Sequence, residues 1–130
     1  MNETCQNWST LVGRILIGAV FLMAGVQKIT GFEGTAGYMA SVGLPMVSFL
    51  LVLVILLEVV GGLFMILGFQ FKISALLLAG FTVLATLIFH NPSNPDQMMF
   101  FLKNTMIIGG LLIASSHGAG NLSLDKKLSN

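Results

Sequence analysis

Four apolar runs separated by short polar breaks organise the chain: Leu11–Ile29, Met46–Phe69, Ile73–Phe89 and Met98–Ser116. A helix needs about 20 mostly apolar residues to cross a bilayer, and each run is of that order. Apolar residues follow one another without alternation, so the period is not that of a barrel strand. Helices also satisfy their own backbone groups in hydrocarbon. The pattern predicts an all-α integral membrane four-helix bundle, a single transmembrane domain over residues 1–125. The breaks carry turn chemistry: "GLP" at Gly43–Pro45, "GFQFK" at Gly68–Lys72 and "NPSNPD" at Asn91–Asp96. Between the first two spans, "TGFEGTAGYMASVG" is too short and polar to cross. Its Phe32, Tyr38, Met39 and Val42 fit one side of a short interfacial helix, with an ordered loop as the alternative. The segment 118–130, "GAGNLSLDKKLSN", reads as a soluble, mobile tail. No A-x-A-like site follows "FLMAGVQK", so the first run reads as a retained span and not a cleaved signal peptide.

At 100° per residue, the unusual residues of each span share a face. Arg14, Gly18, Phe21, Gly25 and Lys28 align on the first, and Glu58, Gly61, Gly62 and Met65 on the second. Ala75, Ala79, Thr82, Thr86 and His90 align on the third; Lys103, Ile107, Gly110, Ala114 and His117 on the fourth. Lipid tails give helices no hydrophobic reason to associate, so small residues and interhelical hydrogen bonds must supply it. The stripes are expected to face one another, leaving the aliphatic remainder to lipid.

Glu58 is the anomaly in this pattern. It lies within about 2 Å of the midplane of its span, counted at 1.5 Å per residue, and a charge at that depth costs roughly 2.5–3.5 kcal/mol or more without a partner. The same count puts Arg14 roughly 9 Å toward the terminal side and Lys103, with Asn104, roughly 7 Å toward the loop side. Both cations have stems long enough to reach inward, so an ion pair or a short Arg14–Glu58–Lys103 network is one expected answer, and a Glu58 that stays protonated is the alternative. Glu58 is then either half of a structural ion pair or a functional carboxyl of the kind a proton relay or quinone site uses. Lys28 and His90 fall near the loop-side boundary, Lys28 most simply as an interfacial anchor. Asn104 should hydrogen-bond across the bundle, and Trp8 suits the aromatic belt.

Composition narrows the function. Of the 130 residues, 55% are hydrophobic and 8% charged, against about 25% charged in a soluble domain. The net charge of +1 gives no nucleic-acid footprint. The single cysteine, Cys5, removes intramolecular disulfides, CxxC redox pairs and all-cysteine metal sites, and no metal site is expected. His90 and His117 are separated by roughly 27 Å along the normal, which excludes a bis-histidine haem within one subunit. With no dinucleotide or phosphate loop either, any electron carrier is bound non-covalently, a quinone being the candidate, or held by a partner. Four spans place both termini on one side with Lys72, Lys126 and Lys127, and Lys28 and Lys103 on the other; the bias favours cytoplasmic termini.

The segments "GRILIGAVFLMAGVQKITG" from Gly13, "GYMASVGLP" from Gly37, "LEVVGGLFMILG" from Leu57, "FH" at Phe89–His90, "FLKN" at Phe101–Asn104 and "LSLD" from Leu122 together resemble the DoxX family of small bacterial four-helix membrane proteins. The resemblance implies a multi-pass protein of the bacterial inner membrane linked to redox chemistry. Members include the small subunit of a thiosulfate:quinone oxidoreductase and a membrane component associated with oxidative-stress enzymes. The family's recurrent charged and polar positions carry over to Arg14, Lys28, Glu58, Lys103 and Asn104, none with a settled catalytic role. Three functions are compatible with this: an accessory subunit of a membrane redox system with a partner oxidoreductase, a small-solute or proton-linked carrier that needs either a homodimer or a very small substrate, and a non-catalytic scaffold for a partner enzyme. Arg14, Lys28, Glu58, His90, Lys103 and Asn104 are the candidate site residues.

Overall fold

The computed structural model describes residues 2–129, all of its regular structure helical. Helices α1 (Glu3–Thr30), α3 (Val47–Leu67), α4 (Phe71–Phe89) and α5 (Met98–His117) are the long ones. Each is long and apolar enough to cross a membrane, α5 together with the 3₁₀ turn Pro95–Gln97 that leads into it. Helix α2 (Phe32–Ser41) is the ten-residue helix between the first two spans, and α6 (Leu124–Ser129) closes the chain.

The helix ends follow from their turn chemistry. Asn2 caps α1 by accepting from the Cys5 backbone N–H at 2.8 Å. Gly68 ends α3 in the left-handed region at φ +70, a conformation that glycine adopts without a Cβ clash. In the loop before α5, the Asn91 Oδ1 accepts from the Ser93 N–H and the Asn94 Oδ1 from the Asp96 N–H.

Packing is pairwise. Helix α1 runs along α3, α4 runs along α5, and α3 against α4 joins the two pairs; no comparable contact joins α1 to α5 among the described residues. Glycine sets the closeness of the first pair. A Cβ on Gly18 would meet the Gly62 carbonyl oxygen at 2.6 Å, and one on Gly62 would meet the Gly18 oxygen and the Leu22 nitrogen at 2.7 Å. The backbones touch, as small-residue faces permit in lipid. The three stripes of α1, α3 and α4 are buried as their periodicity requires: Arg14, Gly18, Phe21 and Gly25; Glu58, Gly61, Gly62 and Met65; Ala75, Ala79, Thr82 and Thr86.

The fourth stripe differs. On α5 Leu111 is the buried residue, and no atom comes within 4 Å of where a Cβ on Gly109 or Gly110 would stand. The core gathers at the terminal end, around Met65, Phe71, Ala75, Leu78, Leu111 and Ala119. The loop-side half is hollow, so the bundle is not close-packed throughout.

The tail also departs from expectation. Instead of a mobile extension, it folds back: the two Asp125 carboxylate oxygens accept from the Gln70 and Phe71 N–H groups at 2.8 and 2.9 Å. The Asp125 N–H donates to the Gly68 oxygen at 2.9 Å. The first amides of a helix have no partner within it and favour an acid. Gln70, itself in the left-handed region, offers no side-chain cap, and Asp125 supplies one from the other end of the chain.

Candidate functional site

The hollow half is a cavity of about 800 Å³ with contributions from α1 to α5. Its wall is largely apolar, with Ile17, Phe21, Leu51, Val54, Phe81 and Ile107 prominent, and its polar groups run from mid-depth, at Glu58 and Thr82, toward the loop end, at Lys28, His90, Lys103 and Asn104. A mostly apolar pocket with a few convergent polar groups is the usual form of a small-molecule site.

Glu58 is met by a cation, but not by either of the two that the depth count selected. Lys28 Nζ lies 2.7 Å from Glu58 Oε1, the lysine side chain 28% and the glutamate 4% exposed. The reason lies in the α1–α3 crossing. A Cβ on Gly25 would touch Glu58 Cβ at 3.1 Å and Val59 Cγ2 at 2.7 Å, so Gly25 sets α1 level with Glu58. Lys28 is one turn further on the same face, about 4.5 Å of rise away, and its stem turns back into the bundle rather than outward. Apart from Lys28, Oε1 takes no hydrogen bond among the described residues.

Arg14, 2% exposed, belongs to the terminal end instead. Its guanidinium donates to the Ile66 oxygen at 3.3 Å and to the Leu122 oxygen, with the Asp125 carboxylate as the nearby counter-charge. Three or so helical turns separate Arg14 from the Glu58 level, roughly 15 Å of rise, beyond the reach of its stem. Arg14 is thus the latch that holds the tail, not a partner of Glu58.

Lys103 reaches the cavity from α5, is exposed, and has no carboxylate within ion-pairing distance among the described residues. Asn104 donates through Nδ2 to Thr86 Oγ1 at 3.0 Å, joining α5 to α4, and Thr86 in turn donates to the Thr82 oxygen at 2.6 Å. His90 is fixed by its Nδ1 contact with Gln97 Oε1 at 2.7 Å and by stacking on Phe100 at 5.1 Å.

Helix α2 supplies wall residues that the sequence pattern did not single out as part of the site. Thr35, Tyr38 and Met39 line the cavity, Met39 is buried, and Tyr38 stacks on Phe89 of α4 with centroids 5.4 Å apart. The one sequence signal for this was the aromatic and methionine side of a segment too short to span. Lys28, Glu58, His90, Lys103 and Asn104 are brought to one cavity, and Arg14 is separated from them.

The architecture defines a class: a multi-pass membrane protein with an apolar, polar-ended cavity inside a four-helix bundle. Residues 9–91 match the DoxX family model, and the chain belongs to the DoxX family. Among its relatives are two Escherichia coli proteins, "Inner membrane protein YqjF", 44% identical over 95% of this chain and 94% of its own, and "Inner membrane protein YphA", 32% identical over 90% and 88%. The Bacillus subtilis protein named "Putative oxidoreductase CatD" is 31% identical over 89% of this chain and 84% of its own. No solved structure matches the chain. With these relatives and its four spans, the protein is a multi-pass protein of the inner membrane.

Proposed function

We propose that this DoxX protein is a small accessory subunit of a membrane redox system and that its cavity binds the quinone which that system reduces or oxidises. The observation that carries the reading is the pairing of an apolar cavity of about 800 Å³ with the Lys28–Glu58 couple on its wall. The oxidoreductase name of one relative supports the same direction. When bound, a quinone supplies two-electron, two-proton carbonyl chemistry; a partner oxidoreductase gives the electrons when the quinone is reduced and takes them when the quinol is oxidised. The chain's own residues hold and orient the ring. Lys28 Nζ and the second N–H of Asn104 donate to ring oxygens, and Lys103 adds positive charge on the facing wall. Glu58, whose Oε1 has no acceptor role beyond Lys28, is placed to exchange a proton with a ring oxygen, and the surrounding hydrocarbon excludes competing water.

Protein purified in mild detergent is expected to carry a quinone into an organic extract and to bind an added short-tailed ubiquinone. Glu58→Gln is expected to weaken that binding about tenfold, the scale of one lost charge-assisted hydrogen bond. Unchanged binding in the variant removes Glu58 from the site, and a wild-type protein that binds no quinone overturns the reading.

A further inference from the structure

The cavity has a direction. Its charged and polar groups occupy the stretch from mid-depth, at Glu58 and Thr82, to the loop end, whereas Leu16 and Gly110 mark the opposite limit. Five of its large hydrophobic wall residues are also among the outward-facing ones: Leu16 is 63%, Val20 62%, Met106 70%, Ile107 37% and Tyr38, on α2, 51% exposed. A side chain lines a cavity and faces outward at once only where the wall is interrupted. Leu16 and Val20 belong to α1 and Met106 and Ile107 to α5, the two helices that do not pack along one another. The interruption is bounded at both ends. Toward the termini, Thr10 Oγ1 and His117 Nε2 approach to 3.5 Å, and Gly120 packs on Thr10. Toward the loops, α2 lies over the bundle with Tyr38 on Phe89. What remains is a slot between apolar side chains, within spans whose depth is that of the hydrocarbon.

Resting on the reading that the cavity holds a quinone, we infer that the ligand is a membrane-dissolved one with a hydrocarbon tail, and that it passes sideways between α1 and α5. Its head lies against Lys28 and Lys103 and its tail lies in the slot. The chemistry favours this occupant. The slot is apolar and at bilayer depth, where water is a poor occupant and an alkyl chain a good one. The polar end carries two lysines against one glutamate, so an electron-rich oxygen is drawn to that end and the tail is left to the other.

The test uses the full chain in proteoliposomes, with Cys5→Ser as background and one cavity cysteine, Ala24→Cys. An N-dodecyl maleimide is expected to label it at least about tenfold faster than a charged, water-soluble methanethiosulfonate, because thiol reactivity follows access. Narrowing the rim with Leu16→Trp and Met106→Trp, both at exposed positions, is expected to slow dodecyl labelling about tenfold. The same rim pair should leave a lipid-facing control, Ile113→Cys, unchanged. Faster labelling by the charged reagent, or labelling blind to the rim pair, overturns lateral access whether or not quinone binds. Slow labelling by both reagents in a protein that cross-links as a dimer places a second copy over the slot and also overturns it. Rim-sensitive dodecyl labelling in a protein that binds no quinone of any tail length sustains the lateral route and removes the quinone reading. With both sustained, the rim pair lowers affinity for a long-tailed quinone and spares the tail-less ring.

Discussion

Two glycine pairs, Gly61–Gly62 in α3 and Gly109–Gly110 in α5, follow β-branched pairs, Val59–Val60 and Ile107–Ile108, and precede leucine. Locally they are near-copies, yet the fold uses them in opposite ways. Gly62 is pressed against the α1 backbone and Gly61 against the Leu78 side chain of α4. Gly109 and Gly110 face open space, and Gly110 forms part of the cavity wall. The first pair lets two helices touch; the second leaves room for something that is not protein. A small residue in a membrane helix permits close approach, but whether a neighbour arrives depends on the neighbour.

The comparison is sharpest where it is easiest to break. Gly62→Leu forces side-chain atoms into the Gly18 and Leu22 backbone and should cost about 3 kcal/mol or more, read as a lowered unfolding midpoint in detergent. The matching Gly110→Leu should keep the fold and fill the cavity, so equal destabilisation by the two would erase the distinction. Next in size, Lys28→Met leaves Glu58 buried without its cation and should cost about 2 kcal/mol, discounted from the fully buried case because Lys28 stands partly exposed. Lys28→Met combined with Glu58→Gln should recover most of that loss, and strictly additive losses would deny the coupling. At the filled end, Asp125→Ala removes the borrowed cap of α4 and should cost about 1 kcal/mol. Hydrogen exchange at the Gln70 and Phe71 amides should accelerate before the rest of α4. Smallest is Gly110→Ala: the added methyl meets nothing, and the helix gains up to about 1 kcal/mol of intrinsic preference. A measurable destabilisation there would mean that α5 has a neighbour on that face.

Much of this was legible in the order of residues. The four apolar runs set the spans, and the motifs from Gly13 to Asp125 pointed to the DoxX family. The stripe on α3 turned Glu58 inward and predicted that a cation meets it. The identity of that cation was not legible. Counting depth from the centre of each apolar run ranked Arg14 and Lys103 ahead of Lys28, because it took no account of how α1 and α3 are shifted along one another. Gly25 packing on the Glu58 level fixes that shift, and it places Lys28 within reach. Likewise, Asp125 in a polar tail gave no sign that it caps α4, since its partners lie 55 and 54 residues away.

The sequence by itself determined which segments enter the membrane and which side of each helix turns away from lipid, because both depend on local hydropathy and a fixed helical period. Tertiary structure alone decided which stripes touch, which one borders empty space, which lysine answers Glu58 and where the tail docks. Those outcomes depend on the spacing and sliding of whole helices, and these are set by the sum of contacts between distant parts of the chain.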